Sequence, residues 1–193
     1  MTVHTTVGQD PDSNDVVILL EMQHREIRRR MDAVLEETGK AREKAFRRFV
    51  HLLAVHETAE EEIVHPYVRK AGEKKGDQTV ADRLREEEAA KRALRELEDE
   101  RCDSEEFEPK FRELRAAVLA HAEAEEAEEF PLVRSMADAA RLQYMSKALR
   151  AAEMVAPTRP HPGTESAAGN LLLGPFAAIA DRTREVVRMA LGH

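Results

Sequence analysis

The sequence predicts an all-α protein, an up-down-up-down four-helix bundle with an additional C-terminal helix after a Pro- and Gly-rich linker. Three observations predict it. Ala, Leu, Glu and Arg dominate while Trp is absent and aromatics make up only 4% of the chain, which is a helix former's composition. Four long segments repeat apolar residues every three or four positions. Short polar turns join these segments, and a bundle is the simplest way for four such helices to bury their apolar faces. The 193 residues, 42% hydrophobic and 35% charged, suit one compact domain with an appendage.

Residues 1–13 read as a flexible N-terminal tail, and the bundle is assigned to 14–138. Asp12, Ser13, Asn14 and Asp15 are good N-cap residues. Val16, Leu20, Ile27, Met31 and Val34 then form the stripe of helix one, which ends near Gly39. Helix two carries Phe46, Phe49, Leu53, Ile63 and Tyr67, and GEKKG at 72–76 is expected to end it as a turn. Helix three carries Val80, Leu84, Leu94 and Leu97, and the polar CDSEEFEP follows it. Helix four opens near Pro109, a residue favoured in a first turn, and stripes Phe111, Leu114, Val118, Leu132 and Met136. Met22 and Met31 read as core filler.

Beyond the bundle, 139–154 reads as a helical extension and 155–173, containing APTRPHPGTESAAGN, as a linker. A C-terminal amphipathic helix is expected over 174–191, striped by Phe176, Ile179, Thr183, Val186, Val187 and Ala190. It can dock on its own bundle, on a second copy as a homodimer contact, or on another partner. The first is the simplest expectation.

A formal net charge of −8 argues against nucleic acid or an anionic membrane as partner, since both require clustered Lys and Arg. Arg28, Arg29 and Arg30 are too short a run to reverse that, and read as a solvated helix face. No segment reaches the roughly 20 apolar residues that span a bilayer, and the start lacks the pattern of a signal peptide. A cytoplasmic protein is expected. Cys102 stands alone and reads as an inert or mildly redox-active thiol and not a catalytic one, because nothing nearby in sequence would lower its pKa.

Two stretches share one spacing: HETAEEEIVHP at 56–66 and HAEAEEAEEFP at 121–131. Each places Glu four and five residues after a His, and Pro ten after it. In helix two the apolar series 46, 49, 53 resumes at 63 and 67, and the missing steps are His56 and Glu60. In helix four the series 111, 114, 118 passes through His121 and Glu125 before Leu132, and in helix one His24 lies between Leu20 and Ile27. Three His and two Glu thus lie on the inward faces of three helices.

Buried without partners, these groups would cost about 1 to 3 kcal/mol each if neutral and several if ionised. A His and a Glu four apart are roughly 6 Å apart along the axis and reach a common point. Imidazole nitrogen and carboxylate oxygen together suit iron, zinc or manganese, and a carboxylate can bridge two ions. One HxxxE in a Glu-rich helix is more often an exposed ion pair. Two copies in phase with the core, with a third His in phase on helix one, point instead to a metal centre; a buried hydrogen-bonded network of His and Glu is the alternative.

At these residues the chain resembles the bacterial hemerythrin-like, or HHE cation-binding, family, whose pattern is H…HxxxE…H…HxxxE. The resemblance runs over about 14–136 and is carried by His24 in EMQHREI, His56 and Glu60 in AVHETAEEEIVHP, and His121 and Glu125 in LAHAEAEEAEEFP. It implies a four-helix bundle holding two non-haem iron ions, with manganese or zinc as alternatives. By the same resemblance His24 and His56 would ligate one iron and His121 the other, with Glu60 and Glu125 bridging.

Helix three departs from the family, which supplies a His where DRLREEEAAKRALRELEDE has none. Matching to relatives puts Glu88 in that position, whereas the stripe through Leu84, Leu94 and Leu97 favours Glu87. Either carboxylate can replace the imidazole. A further carboxylate hardens the site and lowers its reduction potential, which disfavours reversible dioxygen carriage. Sensing, protection or iron holding with dioxygen, peroxide or nitric oxide is the implied role; decomposition of hydrogen peroxide, and a metal-free helical interaction module, are the alternatives.

His65 lies nine residues after His56, where an ideal helix turns it nearly to the opposite face. Pro66 should bend the helix there, as Pro131 should bend helix four. The simplest reading of His65 is a partly exposed residue at a bent helix end; a partner orienting a ligand, or an extra ligand, are the others. His4, His161 and His193 receive no role.

Overall fold

The computed structural model describes residues 14–70, 74–155 and 175–192, all-α and without a strand among them. The expected tail, linker and the residues His4, His161 and His193 lie outside that range. The chain forms α1 (Val16–Glu36), α2 (Gly39–Ala59), a π-helical turn (Glu60–Val64) and α3 (His65–Lys70). It continues through α4 (Lys74–Glu98), α5 (Phe107–Ala124), a second π turn (Glu125–Glu129) and α6 (Phe130–Met136). α7 (Ala139–Val155) and α8 (Pro175–Leu191) complete it.

Asp15 caps α1, its Oδ1 accepting the Val17 N–H at 2.8 Å. Only Thr38 and Glu37 separate α1 from α2, and Gly39 opens α2 at φ +54°, a conformation glycine adopts without strain. So short a connection folds α2 back along α1. Of the expected turn at 72–76, residues 72 and 73 lie outside the described residues, while α4 already begins at Lys74 and Gly76 lies in its first turn. A Cβ there would meet the Val68 carbonyl oxygen at 2.9 Å, so glycine at this point permits α3 and α4 to approach closely.

Pro66 and Pro131 do not act as simple kinks. Each is the second residue of a new α segment, and the irregularity is the π turn just before it, where His65 N–H bonds Glu60 O and Phe130 N–H bonds Glu125 O. A proline ring clashes with the carbonyl four residues back. The wider π turn absorbs that clash in both helices.

Two apolar clusters fill the interior. One joins Leu20, Val55, Val64, Val68, Phe130, Val133, Met145 and Leu149, and Val187 of α8. The other joins Ile27, Met31, Leu53, Leu94, Leu114 and Val118 with Phe46, Phe49, Phe107 and Phe111. These four rings meet edge-on or stacked, Phe49 and Phe111 at 5.5 Å between centroids. Phe111→Ala is expected to destabilise the fold by about 3 to 5 kcal/mol, read as a shift of the denaturation midpoint at constant slope. Met31 belongs to this core, whereas Met22, also expected there, is 52% exposed.

α8 docks on its own chain, burying Phe176, Ala180, Thr183 and Val187 against the bundle, chiefly on α2 and α7. Arg184 and Arg188 extend the contact to the first π turn, pairing with Glu62 at 3.0 Å each. No helix of the described residues is long and apolar enough to cross a membrane.

Candidate metal centre

Between the two apolar clusters lies a polar layer. α1 supplies it between Leu20 and Ile27, α2 after Leu53, and α5 after Val118, so the same stripes that build the cores carry His24, His56 and His121 into the middle. All three His are buried, and Glu60 and Glu125 are fully enclosed. The five residues picked out by phase therefore converge.

The imidazoles share one orientation. His24 Nδ1 lies 2.8 Å from Glu126 Oε1, His56 Nδ1 2.8 Å from Gln23 Oε1, and His121 Nδ1 2.9 Å from Glu86 Oε2. Each Nδ1–H donates outward to an oxygen, which turns Nε2 toward the centre. Gln23 is itself fixed, its Nε2 donating to Glu153 Oε1 of α7 at 2.6 Å.

At the centre, His24 Nε2 lies 3.2 Å from Glu125 Oε2, His56 Nε2 3.3 Å from Glu60 Oε2, and His121 Nε2 3.1 Å from Glu125 Oε1. Yet both oxygens of Glu60 and of Glu125, and Nε2 of His24 and His121, are buried without an aligned hydrogen bond. Ligands on one octahedral ion with bonds of about 2.1 Å stand about 3 Å apart. The donor atoms have the spacing of ligands, not the alignment of hydrogen bonds.

Among the described residues, three groups have donor atoms within 4.8 Å of one another: His24, His56, Glu60 and Glu125; Glu57, Glu87 and His121; and His65, Glu125 and Glu129. Glu125 belongs to two of these and faces His121 besides. Glu87 is the inward residue of α4 at 1% exposed, while Glu88 is exposed and lies 3.6 Å from Arg92. The apolar stripe, not the match to relatives, placed helix three correctly.

His65 departs most from the sequence reading. It is 2% exposed, with Nδ1 2.8 Å from Glu129 Oε1 and Nε2 2.7 Å from Glu87 Oε1. The π turn adds one residue to the rung, so His65 falls one turn beyond Glu60 instead of opposite His56. Phe130 occupies the matching place in the second half and stacks on His24, centroids 5.5 Å apart. Glu57 and Glu129 are also buried, so more of the two acidic runs faces inward than the apolar stripe indicated.

The electrostatics follow from packing so many acids together. Burial, with Glu125 close by, holds the Glu60 carboxyl well above its usual range, and burial with Glu87 raises Glu57 to about 8. Burial also raises the cost of charge on Glu125, but His121 and His24 outweigh it and hold its pKa well below normal. Burial pushes His56 well below its usual value. For His65 and His121 burial works the same way, but carboxylates prevail and lift them to about 10 and 11. Lys91 lies 3.0 Å from Glu87 Oε2 and pairs also with Glu61, which in turn meets Arg184 of α8.

No curated protein and no solved structure matches the chain. The model of the hemerythrin HHE cation binding domain matches residues 15–133, from the cap of α1 to α6 and across every residue of the polar layer. The chain belongs to the hemerythrin HHE cation-binding family.

Proposed function

We propose that the polar layer is a non-haem di-iron centre at which the protein engages a small oxidant such as dioxygen, peroxide or nitric oxide. The observation that carries the reading is the orientation of His24, His56 and His121. All three tie Nδ1 to an outward oxygen and turn Nε2 toward carboxylate oxygens that have no hydrogen bond of their own. A hydrogen-bonded core network would pair those atoms; a ligand set leaves them open.

The charge of the layer accommodates two ions. Glu57, Glu60, Glu87, Glu125 and Glu129 are five buried carboxylates, against which the layer sets the imidazolium of His65 and the ammonium of Lys91. Five negative charges against two positive ones leave three, so either one or two divalent ions bring the layer within one charge of neutrality, and it is the two-sided placing of Glu125 that favours two. Glu125, with one oxygen toward His24 and the other toward His121, would help to hold both ions. Glu60, opposite His56, is the second candidate bridge.

Iron so held would supply one-electron chemistry between ferrous and ferric states. Carboxylates outnumber imidazoles here, which favours the ferric state and weakens the case for reversible carriage. Protein grown with iron is expected to hold about two irons per chain and to show a ferric absorption band that bleaches on reduction. Well under one iron per chain, with zinc or manganese in its place, would sink the iron assignment. Oxygen release on adding peroxide, measured with an electrode, separates an enzyme that decomposes peroxide from a binding protein.

A further inference from the structure

We infer that Glu57 is the carboxylate through which a second cation is held together with His121 and Glu87, in place of the imidazole that α4 lacks. The inference rests on the cation-binding reading above and names the second ion's ligands. Glu57 directly follows His56, and a step of one residue turns it about 100° round the helix, away from the first group. There one donor atom from each of Glu57, Glu87 and His121 lies within 4.8 Å of the others.

Two independent observations mark this as a site and not only a buried acid cluster. Glu57 is 3% exposed and its Oε2 has no hydrogen-bond partner, while His121 Nε2 beside it has none either. Glu87, by contrast, is matched already: Oε1 accepts from His65 Nε2 at 2.7 Å and Oε2 from Lys91 Nζ at 3.0 Å. Of the two carboxylates, Glu57 is the one with an oxygen left open. Its burial has no use in packing, because an apolar residue would fill the place at no desolvation cost.

The sequence carries the same asymmetry. The residue after His56 is Glu57, but the residue after His121 is Ala122, so the extra acid breaks the likeness of the two halves. It does so on the helix that reaches the group containing Glu87, where the family's His is missing. With two carboxylates and one imidazole, the second site is harder than the first, which has two of each. It should prefer a hard cation such as ferric iron or manganese(II) over zinc.

The test uses the full chain, stripped with chelator and titrated anaerobically with ferrous iron and separately with manganese(II), the ratio read by calorimetry and elemental analysis. Wild type and Glu88→Gln are expected to take up about two ions per chain. Glu57→Gln should take up about one, with second-ion affinity reduced at least about 100-fold and unchanged helical circular dichroism. Two ions of unchanged affinity in Glu57→Gln overturn the assignment while leaving the centre intact; no ion in wild type overturns both. If Glu57→Gln does not fold, Glu57→Asp keeps the charge but withdraws the oxygen by one methylene. Weakened second-ion binding there supports the role, and unchanged binding overturns it.

Discussion

Cation binding is expected to be lost altogether in Glu125→Ala, the largest effect of any single substitution in the layer. Glu125 alone faces both halves of the centre, with Oε2 3.2 Å from His24 Nε2 and Oε1 3.1 Å from His121 Nε2. It also joins the group of His65 and Glu129. In the proposed two-ion centre its removal would take a ligand from each ion, so affinity should fall by more than the roughly 10- to 100-fold typical of an outer partner. The fold should persist, because the two apolar clusters that flank the layer are untouched. Elemental analysis after dialysis, alongside circular dichroism, checks this. A folded Glu125→Ala protein that retains a full complement of ions would rule out a shared carboxylate.

Stripping the cations is expected to lower the melting temperature by about 8 to 16 °C at pH 7, and by more at pH 9. A ligand present at about 1,000 times its Kd adds about 4 kcal/mol of stability, and each kcal/mol moves a chain of this size by about 2 to 4 °C. The pH trend follows from protons held in the stripped, folded protein. Glu57, raised to about 8, Glu60, raised well above its usual range, and His65 and His121, raised to about 10 and 11, all keep protons that the unfolded chain gives up at lower pH. Groups whose folded pKa is raised lose their stabilising contribution as pH climbs. The opposed groups, His56 and Glu125, are held below their usual values and exert their effect below pH 7. Bound cations replace those protons, so the gap between loaded and stripped protein should widen from pH 7 to 9. Scanning calorimetry with and without chelator decides it, and a gap that narrows would contradict the charge assignment.

How far the sequence reading reached depended on what each residue competes with. His24, His56, Glu60, His121 and Glu125 were legible because they interrupt apolar stripes whose period is unambiguous on both sides. For Glu87 the same logic pointed inward, since Leu84 and Leu94 bracket it in phase, but the match to relatives favoured Glu88 and left the two open. Glu57 and Glu129 were not, because they lie off the stripe and are buried only where two further helices close over them. An acidic residue in an acidic run gives no local sign of which neighbour will cover it. The docking of α8 on its own chain was the simplest of three readings, and what could not be foreseen was its ionic seam through Arg184, Glu61 and Lys91 toward Glu87.

The π turns matter beyond the two rungs they widen. A helix face works like a reading frame, in which every position is assigned by counting from those before it. Five residues at Glu60–Val64 and five at Glu125–Glu129 act as frameshifts within that count. Upstream of them, counting places His56 and His121 correctly; downstream it sends His65 to the wrong side. In a chain of this kind, a fixed helical period is therefore a sound guide up to the ligand Glu and misassigns faces beyond it. What lies beyond, a His in one half and a Phe against His24 in the other, is where the two otherwise matching halves are free to differ.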